Sequence, residues 1–311
     1  MKYFLLLFLF STLLFSVSCA TDKPVARVKE NARGYEKLAI DHYNRGDYQN
    51  AILFFKQALA EDQKVSNLPG ISSDLYNIAR CYFNFGLYSN AEKILEEALE
   101  INTHVNNQSG TGDNYSLFAS IKSRNKEYDK ALELLDKSIE MYQAAKNKKG
   151  AANALNNTGT IYIKLGKYDE AREKIETAIS IHKKISNHSG LGASYNNMGY
   201  LNEQQENNDD AIKFYLLALE EDKHIENSIG ISSDLNNIAG FYKKSGDFEL
   251  ALFYYKRALE VNRGLTHIER EKKDLNNIID MLGSMGRNEG KKLYERALAQ
   301  LEGADVEVAE F

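Results

Sequence analysis

The chain has 311 residues, 39 of them basic and 44 acidic, for a formal net charge of −5. That mild acidity excludes the basic stripe of a nucleic-acid-binding surface and sets no strong preference for the charge of a partner. Two prolines, no tryptophan and nineteen tyrosines describe a chain of mostly uninterrupted helix.

The first element, residues 1–19, differs from the rest. Lys2 precedes an apolar stretch from Tyr3 to Val17 broken only by small hydroxyl residues, about fifteen residues where a membrane span needs about twenty. Charge, apolar run and small residues are the layout of a secretory signal. Its end, Phe15-Ser16-Val17-Ser18-Cys19-Ala20, resembles a bacterial lipobox, in which the cysteine is lipidated and becomes the new N-terminus. Val17 and Ser18 fit that pattern, and Ser16 stands where leucine is usual. Cys19 is therefore the lipidation candidate, in a chain with only one other cysteine. Ordinary cleavage after Ala20 is the alternative, because Ser18 and Ala20 are both suitably small. The first route holds the chain to a membrane of a bacterial cell envelope; the second leaves it soluble, periplasmic or secreted. Residues 20–30 read as a linker.

From residue 31 the chain repeats. Glycine recurs at Gly70, Gly110, Gly150, Gly190 and Gly230, and asparagine three residues earlier at Asn67, Asn107, Asn147, Asn187 and Asn227, always at a step of forty. Both residue types tolerate the left-handed conformation that ends a helix, so Asn-x-x-Gly reads as the turn between units. Between the turns a second constant appears: Ala51, Ala91, Ala131, Ala171, Ala211 and Ala251. Four residues on stands a large apolar residue (Phe55, Leu95, Leu135, Ile175, Tyr215, Tyr255), and three further a small one (Ala58, Ala98, Ser138, Ala178, Ala218, Ala258). Those offsets share one helical face, where small residues admit a neighbouring helix and the large one fills the space beside it. An earlier helix in each unit carries its own small residue at Ala39, Ala79, Ala119, Gly159, Gly199 and Ala239. Sharp turns such as Arg45-Gly46-Asp47-Tyr48 and Leu165-Gly166-Lys167-Tyr168 join the two helices, the aromatic packing back onto the pair. The third and fifth units have Arg124-Asn125-Lys126-Glu127 and Gln205-Glu206-Asn207-Asn208 there, so those turns are expected to be looser. Cys81, inside an apolar helical segment, reads as a core residue.

A stretch such as 234–260 resembles a tetratricopeptide repeat, and its forty-residue step is similar to the longer subclass of kinesin light chains, LGN-type adaptors and bacterial peptide receptors. The resemblance covers about residues 31–300. It implies an all-α, right-handed superhelical solenoid of antiparallel helix pairs over residues 31–302, with six full repeats and a degenerate seventh, followed by an acidic tail at 303–311. The seventh unit has Gly290 and Lys291 where the core alanine belongs, and reads as a worn C-terminal cap.

The resemblance also implies a concave groove lined by the first helix of each unit. The residues two before each small residue of those helices, and the residues preceding them, then face the groove. They include Asn77, Asn157, Asn197, Asn237 and Asn277, with Asn156, Asn196, Asn236 and Asn276 beside them; Lys37 and Leu117 break the series. A primary amide offers donors and an acceptor that match an extended peptide backbone, and families of this type hold peptides with an asparagine there. Bonding between neighbouring helices is the alternative use of the same amides. Arg80, Lys164 and Lys243 are further groove candidates. The six histidines show no metal-ligand spacing and the single, periodic glycines form no phosphate loop, so neither a metal, a cofactor nor a catalytic site is expected.

The expected function is that of a non-catalytic scaffold, exported and lipid-anchored, whose groove takes an extended peptide or partner protein. An exported peptide-sensing module working with a separate signalling protein is the alternative. Neither the partner's identity nor the oligomeric state is encoded in these features.

Overall fold

A computed structural model describes residues 24–309, with side chains through residue 303. The stretch expected to be an export signal, residues 1–19 with Cys19, lies outside the described residues.

Fourteen helices and no strand occur among the described residues. Helix α1 spans 24–44, beginning within the stretch expected as linker. It is followed by α2 (Tyr48–Lys64), α3 (Leu68–Asn84), α4 (Tyr88–His104), α5 (Gln108–Arg124), α6 (Tyr128–Ala144) and α7 (Lys148–Lys164). Then come α8 (Tyr168–Lys184), α9 (His188–Gln204), α10 (Asn208–His224), α11 (Ser228–Ser245), α12 (Phe248–Gly264), α13 (Ile268–Ser284) and α14 (Asn288–Ala309). Two helices of 17 residues and two connections of three make the forty-residue period. Short connections force successive helices antiparallel, and the fold class is the expected one: all-α, a solenoid of helix pairs.

The chain divides into two compact units, one ending at Asn114 and one beginning at Tyr115. In the first, Ala39, Ala51, Phe55, Ile78 and Cys81 form one apolar cluster. Cys81 is fully buried, and burial pushes its thiol up to about 12. In the second unit the same small-large-small stripe closes each layer, as with Ala171 and Ile175 against Met198 and Leu201. The stripe residues of the second helices are all buried. The small residue of the first helix has an equally direct reason: a Cβ on Gly159 or Gly199 would lie within 3.0 Å of Ile175 or Tyr215.

Two turn expectations need correction. The Asn-x-x-Gly motif marks the boundary between units, but neither residue is left-handed. The positive φ belongs to the residue before the asparagine, at Ser66, Asn106, Lys146, Ser186 and Glu226, and to Thr266 before His267 in the last such turn, all at 50–55°. The asparagine starts the next helix, its side-chain oxygen accepting from the glycine N–H at Asn147–Gly150 (2.9 Å) and Asn227–Gly230 (3.2 Å). The glycine lies inside that helix. The third and fifth turns are not looser either. Lys126 and Glu206 take the left-handed conformation of the glycines elsewhere (φ 64° and 60°). Their Glu127 N–H to Lys122 C=O and Asn207 N–H to Asn202 C=O bonds, both 2.9 Å, match Lys167 N–H to Tyr162 C=O at 2.9 Å.

At the C-terminal end α14 covers α13 with the half-buried Tyr294, Ala297, Leu298 and Leu301, over Leu275, Ile278, Met281 and Leu282. Gly290 and Lys291 interrupt its apolar stripe, and Leu293 is left 64% exposed. No helix among the described residues is long and apolar enough to cross a membrane.

Candidate functional site

The first helices of the second unit, α7, α9, α11 and α13, each carry an asparagine at the predicted position: Asn157, Asn197, Asn237 and Asn277. Asn157 and Asn237 are exposed, Asn197 and Asn277 half-buried. On α7, α9 and α11 the preceding residue is buried or half-buried, Asn156 buried and Asn196 and Asn236 half-buried, whereas Asn276 on α13 is exposed.

The amides do not act as one uniform row. The Asn237 amide on α11 donates to Asn196 Oδ1 on α9 (3.0 Å), and Asn196 donates back to Asp234 Oδ1 on α11 (2.5 Å). One layer on, Asn277 on α13 donates to Asn236 Oδ1 on α11 (3.3 Å), and Asn236 donates to Asp274 Oδ1 on α13 (2.8 Å). An inner amide of one first helix is thus gripped by an aspartate and an asparagine three residues apart on the next. Asn196, Asn236, Asn237 and Asn277 therefore serve bonding between helices. At the α7–α9 step the grip is unmade: Ser194 replaces the aspartate, and Ser194 Oγ and Asn156 Oδ1 have no partner. There the outer amides of Asn157 and Asn197 make no side-chain hydrogen bond among the described residues.

The cationic candidates are also engaged. Arg80 lies over the Tyr43 ring at 4.7 Å and donates to Tyr43 Oη (3.0 Å) and to Asn77 Oδ1 (3.1 Å). Lys164 donates to Ser123 Oγ (3.1 Å), and burial with the nearby Arg124 lowers its ammonium below the usual lysine range. Lys243 is paired with Asp280, which holds its ammonium above the usual lysine range. The unengaged groups cluster instead on α7 and α9, where Asn157 and Asn197 are joined by the exposed Tyr200 and by Gln204. Leu117, the expected break in the series, is buried.

A second feature was missed in the sequence. The third residue from the end of each second helix is buried although mostly polar: Asp62, Asn102, Tyr142, His182, Asp222 and Asn262. Twelve residues on, the next first helix presents Asp74, Asn114, Ala154, Ser194, Asp234 and Asp274, all buried. Asn102 meets Asn114 at 2.8 Å and Asn262 donates to Asp274 at 2.5 Å. Burial raises the Asp234 carboxyl to about 8, opposed by the Asn196 hydrogen bond and reinforced by the facing Asp222 carboxylate. His182 is fully buried, and burial holds its imidazole below the usual histidine range. This row explains the periodic glycine. A Cβ at Gly70, Gly110, Gly150, Gly190 or Gly230 would come within 3.0 Å of Asp62, Asn102, Tyr142, His182 or Asp222. The signal was present as polar residues at the forty-residue step, on a face that amphipathicity alone assigns to apolar side chains.

The family model of the tetratricopeptide repeat matches residues 30–104, 110–184, 150–224 and 190–264. The chain belongs to the tetratricopeptide repeat family. Such arrays are interaction scaffolds whose stacked helices present extended binding surfaces. Among solved structures, a Rap protein complexed with Competence and Sporulation Factor is similar in fold, with a TM-score of 0.66 at 16% identity over 89% of this chain and 76% of that one. Aspartyl phosphate phosphatase F from Bacillus subtilis has a TM-score of 0.63 at 16% identity over 94% and 75%. BtubC (BKLC) from P. vanneervenii has 0.55 at 19% over 70% and 92%. At these identities the likeness is one of fold. No curated protein matches the chain.

Proposed function

We propose that this tetratricopeptide protein is a non-catalytic scaffold that holds an extended peptide or partner segment on the faces of α7 and α9. The observation that carries the reading is the unspent pair Asn157 and Asn197, set beside Tyr200 and Gln204, while the equivalent amides of α11 and α13 are engaged in bonding between helices. Two free amides at equivalent places on adjacent helices can each donate to and accept from a peptide backbone, and a neighbouring aromatic gives a side chain somewhere to pack. The seventeen-residue helices and the forty-residue period support the longer repeat subclass.

The test is to capture partners from a membrane extract on the immobilised full-length chain and to titrate the recovered partner against variants. Asn157→Ala with Asn197→Ala is expected to weaken binding about tenfold or more, two hydrogen bonds being worth about 1 kcal/mol each. Asn237→Ala should leave affinity near wild type. Unchanged affinity in the double variant removes this site.

The alternative, an exported peptide-sensing module working with a separate signalling protein, draws on the fold shared with a Rap protein complexed with Competence and Sporulation Factor. Ligand-dependent compaction in small-angle scattering separates it from a static scaffold. For placement we propose export and a lipid anchor at Cys19, on the charge, apolar run and small residues that precede it. Metabolic labelling with a palmitate analogue should require Cys19; labelling that survives Cys19→Ala, or no labelling at all, favours soluble export.

A further inference from the structure

The grip that joins first helices in the second unit has a counterpart in the first, with one chemical change. Asn196 sits 38 residues before Asp234 and 41 before Asn237. At the same steps before Asp74 and Asn77 stands Glu36 of α1. Where the later layers place an amide donor beside a buried aspartate, this layer places a third carboxylate, because Asp62 of α2 occupies the buried row as well. One oxygen from each of Glu36, Asp62 and Asp74 lies within 4.8 Å of the others.

Asp74 supplies the decisive observation. It is 0% exposed, and neither of its oxygens meets a hydrogen-bond donor among the described residues. Buried carboxylates elsewhere in the chain are answered by amides: Asp234 by Asn196, Asp274 by Asn236 and Asn262. Asp62 is answered on one side only, by the Asn67 amide at 2.9 Å. Gly70 leaves the space that its other oxygen needs. Arg33 is the cation that acts on Glu36, and its effect is smaller than those of burial and of Asp62. Glu36 itself is half-buried, so the cluster opens to solvent at that residue.

Three oxygen ligands of net negative charge suit a hard cation rather than a soft one. Oxygens across a calcium ion, at about 2.3–2.6 Å each, are at most about 4.6–5.2 Å apart, and across magnesium about 4.0–4.2 Å, so separations within 4.8 Å admit either ion. We propose that Glu36, Asp62 and Asp74 bind a hard divalent cation, with calcium as the first probe, that ties α1 to α2 and α3. Their sequence separations hid the site, since the three residues come from three helices and match no ligand spacing. Burial and mutual repulsion raise the carboxyls of Glu36 and Asp74, as expected of a cluster that lacks donors. The proposal does not depend on what the α7–α9 site binds.

Calcium chloride titrated calorimetrically into the full-length chain after chelator treatment is expected to show one site, and millimolar calcium to raise the melting temperature. Asp74→Asn keeps the shape and relieves repulsion, so it folds without calcium at least as stably as wild type. It should weaken calcium binding about tenfold or more and abolish the thermal response. Asp222→Asn, in the two-carboxylate layer of the second unit, should leave calcium binding unchanged. Preference for manganese or magnesium chloride over calcium would still support a hard-cation site. No heat and no thermal shift with any of the three salts overturns the proposal. So does binding that survives both Asp74→Asn and Glu36→Gln.

Discussion

Asn196 stands between Asn237 and Asp234, and the difference between it and Asn156 is one of neighbours. Both are helix residues with the same side chain, yet one is consumed by an aspartate of the next first helix and the other, with Ser194 in that aspartate's place, is buried with its Oδ1 unpartnered. Asp234, fully buried, carries the energetic consequence. Its carboxyl titrates near 3.9 when unfolded and at about 8 when folded, through burial first, with the Asn196 hydrogen bond opposing the rise and the facing Asp222 adding to it. Glu221 lies close to that pair. The folded state therefore holds the proton more tightly, so this contribution to stability is complete below about pH 4 and is lost as pH rises through about 8. Asp234→Asn should flatten the decline in stability between about pH 5 and pH 8.5, read from urea midpoints of variant and wild type. An identical decline in both would show that Asp234 is already ionised in the fold.

At the scale of elements, the forty-residue unit is two helices whose ends are set by an asparagine cap, a left-handed residue before it, and a glycine at the third helical position. That glycine is there for packing, not for backbone freedom. Gly230→Ala would push a methyl into the Asp222 carboxylate and should cost about 1–3 kcal/mol. Gly34→Ala, in α1 with nothing within 4 Å of the added carbon, should stabilise by up to about 1 kcal/mol through helix propensity alone. Urea unfolding of the two variants measures both signs. If Gly230→Ala proved neutral, the buried row would be free to move aside and the periodic glycine would need another reason.

At the scale of the molecule, a stacked array contacts only its neighbours, so its last layer must be closed by an atypical one. The half-buried residues of α14 perform that closure over Leu275, Ile278 and Leu282. Ending the chain after Arg287 should speed amide exchange in α13 about tenfold or more, with aggregation visible by light scattering, while amides of α7 and α9 keep their protection. Loss of protection throughout would mean that the array melts as one cooperative body.

The repeat, its period, its register and the buried small-large-small stripe were legible in the sequence by itself, because helix periodicity and close packing are local demands repeated six times. The turn residues were legible as boundaries, though not by mechanism: an asparagine cap and a left-handed asparagine look alike until φ is known. What only the tertiary structure decided was the use of each polar side chain. Whether an asparagine on a first helix is gripped or free depends on the residue 38 positions later on the next one, aspartate at 234 and 274 but serine at 194. Whether a buried carboxylate is answered by an amide or by another acid depends on three helices meeting, as Glu36, Asp62 and Asp74 do. Apolar packing follows from pattern because any suitable hydrophobe fills the space, whereas a hydrogen bond needs one particular partner at one distance, and that partner is chosen by the fold.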